Sequence, residues 1–172
     1  PSENRVAMPP PAVKRQPTSA KTARFADTKP FSHMFCDNKK YPGSVRGGKR
    51  TIFALIDYHS RATFAIDVDS KKGNAVAFRS LVALNGIHKL PHSCTVYTDG
   101  DGAMKPVAEA ANDLGINHVY TPPHMQSLNE CEKVFDSIFA CARALMEHSK
   151  APCKLFNFAF HHAMYLHNRM AR

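Results

Sequence analysis

The run Thr51–Tyr58 (TIFALIDY) carries apolar groups at successive positions, on both sides of a two-residue alternation. A strand of that kind is buried on both faces, so it belongs at the centre of a sheet covered by helices. Its neighbours fit that placement. His33–Asp37 (HMFCD) reads as a short apolar strand ending in an acid, followed by a turn-rich stretch, Asn38–Gly48. Thr63–Asp69 (TFAIDVD) alternates Phe64, Ile66 and Val68 with Ala65 and Asp67, the pattern of a strand with one drier face. His59-Ser60-Arg61 is a short connection, so the first three strands read as an antiparallel meander.

The period then changes. Asn74–Asn85 reads as a helix burying Phe78, Leu81, Val82 and Leu84 and stopped by Gly86. Thr95–Thr98 is a short strand running into Asp99; Ala103–Leu114 is a second helix ended by Gly115; Asn117–Tyr120 is another short strand. Pro122-Pro123 opens a loop before a long helix, Asn129–His148, with Val134, Ile138, Cys141 or Ala142, and Leu145 at helical spacing. A last helix, Lys154–Asn168, carries Phe156, Phe160, Ala163 and Leu166. Three strands, helix, strand, helix, strand, helix, helix describes an α/β domain: a mixed five-stranded sheet, antiparallel first and parallel later, flanked by helices. That is the element order of the RNase H-like fold.

Residues 1–30 read as a basic, Pro-rich tail, flexible or extended on the domain, because they hold too little apolar surface to offset ordering entropy. Residues 31–172 read as the folded core. The formal charge of +9 favours a polyanionic partner. The five cysteines contain no C-x-x-C pair, which excludes a written zinc ribbon or redox motif and suits reduced thiols. No apolar run reaches the ~18 residues of a membrane span, and the N-terminus has no secretory h-region. The chain starts without Met and ends straight after a helical pattern, as a piece of a longer polyprotein would.

Three carboxylates occupy informative places. Asp37 ends the first strand, Asp99 ends the fourth, and Glu132 lies in the first turn of the long helix. Sites on parallel sheets gather at strand ends and facing helix termini. Carboxylates converging there repel one another unless cations lie between them, and Mg²⁺ takes oxygen ligands. Each residue also has a structural reading. Asp37 can cap a turn, Asp99 and Asp101 sit in the turn sequence DGDG, and Asn129 with Glu132 has capping-box spacing. Other motifs fail. Gly43–Lys49 lacks the P-loop Ser/Thr, with Arg50 in that position, and a strand follows instead of a helix. The DGDG segment lacks the later EF-hand ligands, and no G-x-S-x-G is present. His161, His162 and His167 on the last helix read as partly buried or surface histidines.

Several segments together resemble the integrase core of copia-type retrotransposons, within the retroviral integrase superfamily, over about Lys29 to Arg169. They are KPFSHMFCD, IFALIDYHSRATFAIDVDSK, VYTDGDG, TPPHMQSLNECEK and ARALMEHSKAPCKLFNFAFHHAMYLHNRM. The resemblance implies an RNase H-like polynucleotidyl transferase that uses Mg²⁺ or Mn²⁺ for 3′-end processing and strand transfer. Asp37, Asp99 and Glu132 match its acidic, metal-holding triad. Lys133 matches a basic residue after the Glu, and His124 and Asn129 match loop positions near DNA. Lys39 and Lys40, with Arg46, Lys49, Arg50, Lys71 and Lys72, are candidate phosphate contacts. Implied partners are the element's DNA ends and target DNA, and further copies of the chain, with no membrane; the implied setting is the nucleus after a cytoplasmic particle stage. Gly100 and Glu130 stand where the family has Asn and Gly, and the loop is a residue short, which leaves Glu130 as a rival to Glu132. The alternative function is a catalytically inactive DNA-binding or assembly module derived from an integrase.

Overall fold

The computed structural model describes residues 29–43, 45–121 and 130–170, with Glu130 as backbone only. Along this chain run β1 (His33–Lys40), β2 (Thr51–Asp57), β3 (Thr63–Val68), α1 (Asn74–Leu84), β4 (Thr95–Thr98), α2 (Lys105–Asp113), β5 (Asn117–Tyr120), α3 (Glu130–Ser149) and α4 (Phe156–Met170). The strands form one sheet in the order β3-β2-β1-β4-β5. β1–β2 and β2–β3 pair antiparallel, whereas β1–β4 and β4–β5 pair parallel. The meander, the mixed sheet and the flanking helices are all as the sequence predicts.

All seven residues of β2 are buried, and alternation sends them to two cores. Phe53 and Leu55 join Met34 and Cys36 of β1 under α1 and α2, with Phe78, Val82, Val107 and Ala111. Ile52, Ala54 and Ile56 face the other way, onto Phe135, Ile138, Ala142 and Phe160 of α3 and α4. Burying each large side chain fully stabilises the fold by about 1.5–3 kcal/mol. β3 is covered on both faces instead of one: Phe64 and Ile66 pack on the first core, Ala65 on the second.

Three further details differ from expectation. The stretch Asn38–Lys40 is strand, not turn, because it continues the ladder opposite Phe53, Ile52 and Thr51; the turn is confined to the residues between β1 and β2. Leu84 is 78% exposed instead of buried, being the last residue of α1 before the chain reverses through Gly86 at φ 63°. The second and last helices begin later than predicted, each behind a tight 3₁₀ turn, Gly102–Met104 and Cys153–Leu155. Asp101 caps the first of these by accepting from the Ala103 N–H, and Pro152 precedes the second.

Candidate active site

The parallel pairing of β1 with β4 aligns His33 with Thr95, Met34 with Val96 and Phe35 with Tyr97. Carrying that register two residues further sets Asp37 beside Asp99, on neighbouring strands ~5 Å apart. The alternation also fixes the face. Phe35 and Tyr97 stack at 5.1 Å on the α3 side of the sheet, so Asp37 and Asp99, two residues on, belong to that same side. Glu132, exposed in the first turn of α3, approaches from above.

The electrostatics register this convergence. Burial is the main reason the Asp37 carboxyl is pushed up to about 6; its hydrogen bond from the Asn38 N–H (2.6 Å) and the charge of Lys39 oppose the rise, and the negative charges of Asp99 and Glu132 add to it. A half-buried carboxyl raised by two like charges is the condition a cation relieves. The three acids offer hard oxygen donors, the kind Mg²⁺ takes. Among the described residues, no three His, Cys, Asp or Glu side chains close into a ready metal cage. Mg²⁺ does not need one, since it is usually held by one or two carboxylates and completes its shell with water and phosphate oxygens. The donor set therefore fits that ion.

A polar chain on the opposite face holds the site's loops. Asn38, next to Asp37, donates to the Asn74 side chain (2.9 Å), and Asn74 donates to the Ala103 carbonyl (3.3 Å). Asn74 is wholly buried at the start of α1, so β1, α1 and the turn after Asp99 are tied together. Within that turn Asp99 accepts from the Asp101 N–H (3.4 Å), and the exposed Asp101 side chain forms an ion pair with Lys71. The turn-forming reading of DGDG is thus realised together with the placement of Asp99 at the site. On the α3 side Lys39 pairs with Asp136 (2.6 Å) and lies over the rings of Phe135 and Phe139.

No family model matches the chain. Two curated proteins do. The retrovirus-related Pol polyprotein from transposon RE2 of Arabidopsis thaliana is 25% identical over 150 residues, covering 85% of this chain, and that from transposon RE1 of the same plant is 24% identical over 147 residues, covering 83%. The chain spans about a tenth of the length of these relatives, 10% in each case. Among solved structures, the simian T-cell lymphotropic virus intasome in complex with PP2A regulatory subunit B56 gamma superposes with a TM-score of 0.61 at 15% identity, over 79% of this chain and 48% of that one. The fold is RNase H-like. The resemblance read from the sequence holds at the level of similarity to retrotransposon Pol polyproteins, and the intasome match bears out the fold.

On this RNase H-like frame the predicted site residues divide into three groups. Asp37, Asp99 and Glu132 come to one end of the sheet, close enough for both other charges to act on Asp37. Lys39 lies on the same side as Asp37 and is engaged with Asp136, and Lys133 stands exposed beside Glu132 on α3; Lys40, one residue further along β1, is exposed and falls on the opposite face with Asn38. His124, Asn129 and the side chain of Glu130 lie outside the described residues, as does the tail over residues 1–28. The sequence does not reveal the roles of Asn38 and Asn74, and it shows Asp101 only as part of the turn sequence DGDG. Their partners are 36, 29 and 30 residues away, and no local spacing reveals such pairings.

Proposed function

We propose that this chain is the catalytic core of a retrotransposon integrase, a divalent-metal-dependent polynucleotidyl transferase that trims 3′ ends and joins them to target DNA. The observation that supports this best is the β1–β4 register, which, continued two residues beyond Phe35 and Tyr97, brings Asp37 beside Asp99, with the charges of Asp99 and Glu132 both acting on Asp37. In this reading Asp37, Asp99 and Glu132 hold Mg²⁺ or Mn²⁺. When bound, such ions activate the attacking oxygen and stabilise the leaving oxygen at phosphorus. The chain's own acids supply ligands and orientation, and the tie from Asn38 through Asn74 to Ala103 keeps the two strand ends in step. The formal charge of +9 draws the DNA backbone in, with Lys40, Lys133, His124 and Asn129 as contacts and Lys39 reinforcing Asp37. Further copies of the chain assemble with it on the element's ends. The setting is the nucleus, following a cytoplasmic particle stage.

The test is a nicking and strand-transfer assay on a labelled oligonucleotide duplex with Mn²⁺, comparing the native chain with Asp99→Asn. Metal-dependent product from the native chain alone is the expected result. A second reading, an inactive DNA-binding or assembly module, draws on the absence of a closed three-acid cage among the described residues and on Gly100 and Glu130 in place of the family's Asn and Gly. It takes over when both proteins bind duplex equally and neither yields product.

A further inference from the structure

The acidic end of the sheet has a cation on the side away from α3. Lys71 opens the tight turn Lys71–Gly73 between β3 and α1, and its ammonium is ion-paired with Asp101. Asp101 is itself fixed, accepting from the Ala103 N–H (3.2 Å) and donating its own N–H to Asp99 (3.4 Å). Lys71 is therefore held one carboxylate away from Asp99; its bond to Asp101 above all, and then the charges of Asp101, Asp99 and Asp37, favour the ammonium form. The other cation near Asp37, Lys39, is engaged with Asp136 and two aromatic rings. The Lys71 pair is different in kind. Both side chains are roughly half exposed, 49% and 41%, and exposed ion pairs of this sort exchange partners readily.

We propose, on the basis of the integrase reading above, that Lys71 is a phosphate-contacting residue of this site, held in place by Asp101 until DNA arrives. A phosphodiester brought to Asp37 and Asp99 carries a negative charge into a group of carboxylates. Lys71 is an ammonium already standing beside them, with three donors and a flexible stem to follow the strand. Asp101 keeps it in place in the free protein, where an unattached lysine would swing into solvent. The contact is to the backbone, so it adds affinity and alignment without sequence preference.

The experiment titrates a fluorescently labelled DNA duplex with the full chain at several KCl concentrations and constant Mg²⁺, for the native protein, Lys71→Gln and Lys71→Arg. One lost phosphate contact makes the slope of log K against log [KCl] shallower by about 0.9, and Lys71→Gln is expected to show that change. Lys71→Arg is expected to restore the native slope, and in nicking Lys71→Gln is expected to raise KM more than it lowers kcat. A native slope in Lys71→Gln, with the native chain binding and nicking normally, overturns the role of Lys71 and leaves the integrase reading standing. A native chain that neither binds duplex nor nicks it removes the integrase reading, and the role of Lys71 falls with it.

Discussion

At one end of the sheet, the corner between β2 and β3 is built on Asp57. Its side chain has no exposed surface, and it accepts from the Phe31 N–H (2.8 Å), the Ser60 N–H (2.9 Å), the Ser60 hydroxyl (2.6 Å) and, more loosely, the His59 N–H (3.4 Å). Arg61, at φ 60°, completes the corner with its guanidinium over the Tyr58 ring. Beside the carboxyl end of β4, within β1, Asp37 is half-buried among Asp99 and Glu132, charges of its own sign. The first carboxylate is surrounded by donors and organises the chain. The second is raised mainly by burial, with the charges of Asp99 and Glu132 adding to the rise. Both are acids carried by neighbouring strands of the sheet, Asp57 as the last residue of β2 and Asp37 within β1. The distinction between architecture and chemistry lies in what tertiary structure brings to each.

Substitutions at the two ends should separate these roles. The largest effect is on activity. Asp99→Asn is expected to reduce metal-dependent nicking by about 10³-fold or more while the protein stays folded, measured as product per folded molecule. Asp57→Ala should do the reverse, lowering stability by about 3 kcal/mol in urea unfolding because several donors lose their buried acceptor. If Asp57→Ala is instead as stable as the native chain, the comparison collapses.

Asp37 sharpens the contrast further. Its folded carboxyl is raised from 3.8 to about 6, so the native state holds that proton more tightly than the unfolded chain. Metal-free native protein therefore loses stability as pH rises from about 4 to 6 and stays weakened above that. Asp37→Asn keeps an acceptor for the Asn38 N–H without the charge. It is expected to be more stable than the native chain by up to about 3 kcal/mol at pH 7.5, with the difference vanishing below about pH 3. Mg²⁺ should raise the melting temperature of the native protein and leave that of Asp37→Asn unmoved.

The smallest expected effect is at Asp67, which accepts from the Tyr41 hydroxyl (2.5 Å), His161 (2.8 Å) and Asn157 (3.4 Å) and ties β3 to α4. Burial alone would raise its carboxyl, but the bonds from His161 and Tyr41 outweigh it and leave the group below its usual range. Asp67→Asn should lower stability by about 1 kcal/mol at pH 7. The difference should fade as pH falls through the ordinary carboxylate range near ~4 to the lower folded value. Chemical denaturation of both proteins across pH 3–7 measures it.

How legible this was in the sequence depends on the range of the interaction. Thr95–Thr98 and Asn117–Tyr120 are predicted to the residue, because each is a short apolar run between turn signals. Gly86 and Gly115 mark reversals that need positive φ, and both adopt it. From its sequence β1 ends at Asp37, because Asn38-Lys39-Lys40 is polar; the strand character of those three residues comes from pairing with β2, not from their own propensity. Asp99 is legible as the residue that follows a strand; Asp37 also reads as a strand-end residue, but it stands within β1, three residues before its end. That Asp37 and Asp99 lie side by side follows from β4 pairing with β1 across the sheet, which no local pattern encodes. The Lys71–Asp101 and Asn38–Asn74 contacts join segments separated by 30 and 36 residues and had no signature at all.

The alignment of β1 with β4 also bears on how this chain tolerates length changes. A side chain changes face with every residue of a strand, so one residue inserted before Asp37 in β1, or before Asp99 in β4, turns that carboxylate to the opposite face of the sheet. No substitution elsewhere repairs such a slip. In the hairpin turn between β1 and β2, where Gly43, Gly47 and Gly48 carry positive φ, an added residue lengthens a loop and leaves both acids where they were. Insertions and deletions among descendants of this sequence should therefore gather in that hairpin, and a frame of 62 residues from Asp37 to Asp99 should vary only between the strands, never within them.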